Sequence, residues 1–273
     1  MVPACTEGGR FELRRTIRQM TGPHVSGEVT SVDRKASADS VASPVSPNIS
    51  DGTFRRLRDL IVHGKLAPGS RVIEADLADR LGVSRTPIRA ALHRLQQEGY
   101  ILVNSGGGNK ARLSVAPLTK DDSRELYRIV AQLEGLAARS SSQLEAQARA
   151  VLVEKLREFN EGLRKLAEAK RADPNRTFDL DMNFHQAIVD AGAGPRLRAI
   201  HEAIKPQTER YWRLYASAII DQLGLSVCEH LDIISGIERG DSDGAKQAML
   251  LNWQNGAERL CQVIETMGER GSW

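Results

Sequence analysis

The chain has 273 residues, a formal net charge of +3 and three cysteines without a CxxC pair. That length is enough for two hydrophobic cores without covalent or metal staples, and the cysteine pattern argues for a reducing compartment rather than a disulfide framework. No apolar run approaches the ~20 residues that span a bilayer, and charged residues interrupt any leader-like stretch at the N-terminus. The expectation is a cytoplasmic protein with no membrane partner.

Charge is unevenly placed. Residues 51–116 carry eleven basic against six acidic side chains, whereas residues 117–273 carry a slight acidic excess. A small basic segment beside a neutral-to-acidic remainder is what a chain needs if only one part of it meets phosphate.

Residues 1–50 are rich in Ser, Pro, Val and Gly with no sustained apolar period, and are predicted to be a disordered tail. From Asp51 the pattern tightens. Phe54, Leu57, Leu60 and Ile61 recur at helical spacing, giving a helix over 51–63. Turn residues 67–70 follow, then a helix over 74–81 that Gly82 ends. Ser84 stands as an N-cap and Pro87 fits a first turn, so a third helix runs to about Glu98. Tyr100–Val103 and Ala111–Val115 are strand-like and flank a glycine-rich tip. Beyond Pro117 only helical periods remain. Thr119 and Asp122 resemble a capping box opening a helix over 120–139. Further helices are predicted at 142–171, 175–191, 195–204, 206–220, 225–239 and 243–267, with Pro206 separating two of them. The predicted fold class is mainly α: a winged helix-turn-helix over 51–116, then an antiparallel bundle of six or seven helices over 117–273.

In the third helix Ile88, Ala91, Leu92 and Leu95 form the inward stripe, while Arg85 and Arg89, four apart, project from a different face. The start of such a helix is where side chains meet base edges in the major groove, and arginine is suited to bidentate contact with guanine. Ser84 and Thr86 are short donors suited to phosphate, and Lys110 and Arg112, on or beside the glycine-rich tip, are placed to reach a neighbouring groove. The run from Leu77 to Leu92, continuing through Leu95–Tyr100, resembles the signature of the GntR family of bacterial regulators. The resemblance implies a DNA-binding domain with Arg85 and Arg89 reading bases. Some members carry a DNA-contacting arginine at the start of the second helix, where this chain has Ala75.

Asp181 and His185 are four apart, so on a helix both project from one face, and a carboxylate with an imidazole at that spacing can hold a divalent metal. His230 lies on a later helix that antiparallel packing can bring opposite them. Asp181-Met182-Asn183-Phe184-His185 resembles the D-x-x-F-H pattern of the FCD-type ligand-binding domain, the FadR/VanR-like partner of many GntR regulators. Leu126-Tyr127, Leu133–Ala138, and Glu229-His230 with Ile237–Asp241 add to that likeness. It implies a metal site for Zn, Ni or Mn on Asp181, His185 and His230. The fourth position holds Asn252, a weaker ligand than the histidine expected there. Many members also carry an arginine on the first sensor helix that pairs with a carboxylate effector; this chain has Val130. Arg210 and Arg213 are therefore the candidate effector-binding arginines, and His201 and His93 are read as ordinary.

These readings converge on a sequence-specific DNA-binding transcription regulator, a repressor, controlled by a small metabolite of organic-acid type. It would act as a homodimer on a near-palindromic double-stranded operator. The rival is a metal-dependent helical enzyme with a DNA-binding appendage; the chain offers no convincing nucleophile motif, general base or phosphate loop for it.

Overall fold

A computed structural model describes residues 49–104, 112–169 and 172–272. The predicted tail up to residue 48, most of the glycine-rich tip and Lys110 lie outside them. The first unit runs α1 (Ile49–Val62), β1 (Arg71–Val72), α2 (Glu74–Leu81), α3 (Arg85–Gln97), β2 (Ile101–Asn104) and β3 (Arg112–Val115). Its core gathers Phe54, Leu57 and Ile61 from α1, Leu77 from α2, and Ile88, Ala91, Leu92 and Leu95 from α3. Tyr100 and Ile101 close it from below the sheet side, and the inward stripe predicted for the third helix is the one that is buried. Gly82 ends α2 at φ 66°, in the left-handed region that its missing Cβ allows, and so turns the chain into α3.

The strands form an antiparallel sheet in the order β1-β3-β2, with Asn104 opposite Arg112 where the hairpin opens towards its tip. The two-residue strand β1 is too short to leave a period in the sequence, and it was not expected. Helix, helix, helix, hairpin is the winged helix-turn-helix order.

The second unit runs α4 (Lys120–Ser141), α5 (Ala146–Glu168), α6 (Pro174–Gly192), α7 (Pro195–Ile219), a 3-10 turn at residues 220–222, α8 (Leu223–Glu238) and α9 (Ser242–Met267). These six helices, counted among the described residues, lie within the expected six or seven. α5 opens at Ala146 rather than at 142, and one predicted boundary is absent. Pro206 does not end a helix; α7 runs through it for 25 residues. The ring removes one backbone donor, but buried anchors on both sides, His201 and Lys205 before it and Thr208, Arg210 and Tyr211 after it, hold the helix together across that gap. Caps follow the sequence more closely: Asp173 accepts from Asn175 N–H and Asp241 from Gly244 N–H. Only half of the expected capping box forms. Thr119 accepts from the Asp122 N–H, but the Asp122 carboxylate turns away to accept from the Tyr211 hydroxyl.

α4 packs on α9 and α6, and α8 packs on α9 and α5, around Phe184, Ile188, Ile233, Ile237, Met249 and their neighbours. Two elements tie this bundle to the first unit. α7 donates from Gln207 Nε2 to the Glu98 carbonyl (2.7 Å) and from Arg210 to the Ala116 carbonyl (2.6 Å). The segment after α9 pairs Arg270 with Leu118 through two backbone hydrogen bonds. There Gly271 abuts Gly69 so closely that a Cβ on either would strike backbone, which makes glycine necessary on both sides of the contact.

Candidate DNA-reading helix and sensor cavity

α3 presents Ser84, Arg85, Thr86 and Arg89 to solvent on the side away from its core stripe. Ser84 occupies the N-cap position in extended backbone, but its hydroxyl makes no capping hydrogen bond, so it remains available to an external acceptor or phosphate. Arg89 is not free-standing. Its Nε donates to Glu74 at the start of α2 (2.7 Å), while two thirds of the side chain stays exposed. So exposed a pair contributes little stability; its consequence is orientation, holding the guanidinium near the helix surface beside Arg85. Arg112 is exposed on β3 at the base of the hairpin tip.

In the bundle, Asp181 and His185 project from α6 and His230 from α8, and one ligand atom from each lies within 4.8 Å of the others. His230 stacks flat on Phe184 (centroids 3.9 Å apart, planes 7° apart), which fixes its ring. Asn160 donates its amide N–H to the Val227 carbonyl, so its oxygen faces His230 Nδ1, which must carry the proton. The other nitrogen, Nε2, is then a bare lone pair. It is wholly buried, without a hydrogen-bond partner, and 3.6 Å from the Asp181 carboxylate. Burial, assisted by His185 and Arg259, holds this imidazole well below its usual range, so it is neutral. His185 is oriented in the same way: its Nδ1 lies 2.6 Å from Glu134 Oε2, an acceptor only, so Nδ1 carries a proton and Nε2 is the nitrogen left for a cation. A half-buried carboxylate and two imidazoles, each held through Nδ1 from behind, fit a divalent cation. Asn252 lines the same cavity, and its amide N–H donates to Glu229, so its carbonyl is the donor atom it has left for a metal.

Behind the trio sits a group that the sequence did not single out for chemistry. Glu134, on α4, has no exposed surface. Its two oxygens accept from His185 on α6, from His201 (2.9 Å) and Lys205 (2.8 Å) on α7, and from the Trp253 indole (2.7 Å) on α9. Burial alone would raise its pKa; Lys205 and His185, with the hydrogen bonds from His185 and His201, outweigh it and hold the carboxyl well below the usual range. His201, read from sequence as ordinary, is therefore a partner of the carboxylate that orients His185. Two signals marked these residues: a glutamate in the middle of an apolar helical stripe, and His201, Lys205 and Glu209 at four-residue steps along one helix face.

The cavity beside this network is walled by Phe178, Trp212, Ile219, Ile220 and Leu223, with Asp181, His185, Lys205, Glu209 and Arg259 among its polar members. Arg210 and Arg213 do not line it. Arg210 is buried at the junction on the Ala116 carbonyl, and Arg213 lies over the Phe178 ring (4.3 Å). The expectation that they meet an effector here is replaced by a place at the domain junction for Arg210. The physical reason is that positions 209 and 210 lie about 100° apart on a helix, so neighbours in sequence face different partners.

A winged helix-turn-helix joined to a helical bundle is the architecture of a DNA-binding transcription regulator. The comparisons agree. The family described as "Bacterial regulatory proteins, gntR family" matches residues 49–110, and the FCD domain matches residues 125–254. The Nta operon transcriptional regulator of Aminobacter aminovorans is 30% identical over 201 residues, covering 72% of this chain and 87% of that one. The HTH-type transcriptional repressor RspR of Escherichia coli K12 is 26% identical over 233 residues, covering 85% and 95%. Among solved structures, E. coli McbR/YncC shares the fold with a TM-score of 0.60 at 23% identity, covering 79% of this chain and 98% of that one. The chain belongs to the GntR family of transcription regulators and carries an FCD domain. These relatives are regulators, not enzymes.

Removing one member of a buried ionic network strands the others. Glu134→Ala leaves Lys205 and two imidazoles without their acceptor, and is expected to lower unfolding free energy by about 3–5 kcal/mol in urea titrations. A loss below about 1 kcal/mol, the usual value for an exposed pair, would contradict the network's role.

Proposed function

We propose that this regulator is a cytoplasmic, homodimeric repressor whose hold on a near-palindromic operator is set by a metal-assisted metabolite site in the helical half. The observation that carries the reading is the pair of buried, oriented imidazoles, His185 and His230, each held through Nδ1 with Nε2 left for a ligand, beside a cavity whose helix α7 also bonds to the winged helix. Leaving His230 Nε2 buried without a partner costs free energy that a bound cation offsets.

In this reading residues 51–116 bind DNA. Arg85 and Arg89 contact bases, Ser84 and Thr86 contact phosphate, and Lys110 and Arg112 extend the contact from the hairpin. Residues 117–273 bind the effector and the second protomer. Asp181, His185, His230 and Asn252 hold Zn, Ni or Mn, and the cation offers an open position to an organic acid. RspR, a repressor by name, supports the sign of control.

The coupling runs along α7. His201 and Lys205 face Glu134, and Thr208, Glu209 and Trp212 line the cavity, while Gln207 and Arg210 face the winged helix and Tyr211 bonds the linker at Thr119. A ligand that prefers one placement of this helix biases the reading heads by its differential affinity for the two placements.

Arg85→Ala and Arg89→Ala are each expected to remove about 1–3 kcal/mol of discrimination between operator and scrambled duplex in gel shifts at fixed salt. Undiminished discrimination in both variants would contradict the base-reading role. Zinc, nickel or manganese at a hundredfold excess over Kd should stabilise the fold by about 2.7 kcal/mol, read as a rise in Tm. His230→Ala should abolish that rise. A wild-type Tm indifferent to all three ions would remove the metal from the account.

A further inference from the structure

The charges around the cavity are not balanced. Two cations line it, and both are committed: Lys205 to Glu134, and Arg259 to Glu229 at 2.6 Å. Two carboxylates line it as well. Asp181 faces His230, and Glu209 lines the cavity without a contact ion pair among the described residues. Among the described residues no donor or cation comes within hydrogen-bonding or ion-pairing distance of the Glu209 carboxylate. The positive groups around it are Lys205, held by Glu134 and lying over Trp253; Arg213, lying over Phe178; and Arg58 and His63 from α1 across the junction. A second unsatisfied group lines the same cavity. Thr177, only 2% exposed, has a buried hydroxyl oxygen without a partner. Next to both stand Phe178 and Trp212, ring centroids 4.9 Å apart, whose faces favour a cation over an anion.

We infer that the effector of this cavity carries a protonated amine, which pairs with Glu209 beside the Phe178–Trp212 wall and donates to the Thr177 hydroxyl. The inference rests on the metabolite site proposed above and narrows its ligand. A plain dicarboxylate would bring like charge to Glu209, whereas an ammonium supplies the direct ion pair that none of the surrounding cations makes with it. An organic acid that also bears an ammonium is an amino acid. The apolar wall of Ile219, Ile220 and Leu223 selects an apolar substituent on it.

The test uses the full chain loaded with zinc and follows quenching of tryptophan fluorescence, since Trp212 and Trp253 both line the cavity. The probes are leucine, isoleucine, valine, methionine and phenylalanine, each against the 2-hydroxy acid in which a hydroxyl replaces the ammonium. At least one amino acid is expected to bind about ten- to a hundredfold tighter than its hydroxy analogue, the usual worth of a charge-assisted hydrogen bond. Glu209→Gln should erase that preference while leaving the zinc-induced rise in Tm intact. Hydroxy acids binding as tightly as amino acids, a preference that survives Glu209→Gln, or no quenching by any of the amino acids would each overturn the inference. Failure of the underlying metabolite site reads differently: zinc would leave the Tm of wild-type and Glu209→Gln protein alike unchanged.

Discussion

A carboxylate with no contact with water must be answered by the protein around it, and in this molecule Glu134 is answered by three helices at once. His185 comes from α6, His201 and Lys205 from α7, and Trp253 from α9, all onto the two oxygens of a residue on α4. An uncompensated buried charge costs several kcal/mol. Any rearrangement that separates these helices therefore has to find new partners for Glu134. The network also sets chemistry one step away. By holding a proton on His185 Nδ1 it leaves Nε2 as the nitrogen open to a ligand, and Asn160 does the same for His230. The candidate metal site is in this sense a product of hydrogen bonds made behind it.

α7 extends that constraint to the other half of the molecule. One of its faces meets Glu134 and lines the cavity; another, on roughly the opposite side of the helix, is bonded to the end of α3 through Glu98 and to the end of β3 through Ala116. Pro206 sits between the Glu134 partners, His201 and Lys205, and the junction contacts of Gln207 and Arg210, and leaves one turn without its backbone hydrogen bond. A helix anchored at a charged network, weakened at one turn and then anchored at the DNA-binding unit has the construction that lets two sites bias one element. The pairing of Arg270 with Leu118 gives α9, which carries Asn252 and Trp253, a second route to the same junction.

Much of this was legible in the chain. The stripe of Ile88, Ala91, Leu92 and Leu95 located α3, and with it the exposed Arg85 and Arg89, because burial follows the helical period directly. The spacing of Asp181 and His185 placed both on one face of α6 for the same reason, and His230 could be assigned to a helix though not to a distance. What escaped reading depended on contacts between elements. Nothing in a local window says that Glu134 will be met by His201 and Lys205 some seventy residues away, that Arg89 will be held by Glu74, or that Arg210 will face the junction while Glu209 faces the cavity. Pro206 misled because propensity is a local weight, and tertiary anchors on both sides of it prevail over the single donor it removes.

Cavity and winged helix are joined through α7, and hydrogen exchange on the full chain with and without zinc reads whether that connection carries a signal. Zinc is expected to change amide protection in α6 and α8 and also along α7 beyond Pro206 and at Ser114–Ala116 of the hairpin. Arg210→Met is expected to confine the change to the helices around the cavity. Protection in wild-type protein that changes around Asp181, His185 and His230 but stops short of the junction would contradict coupling through α7.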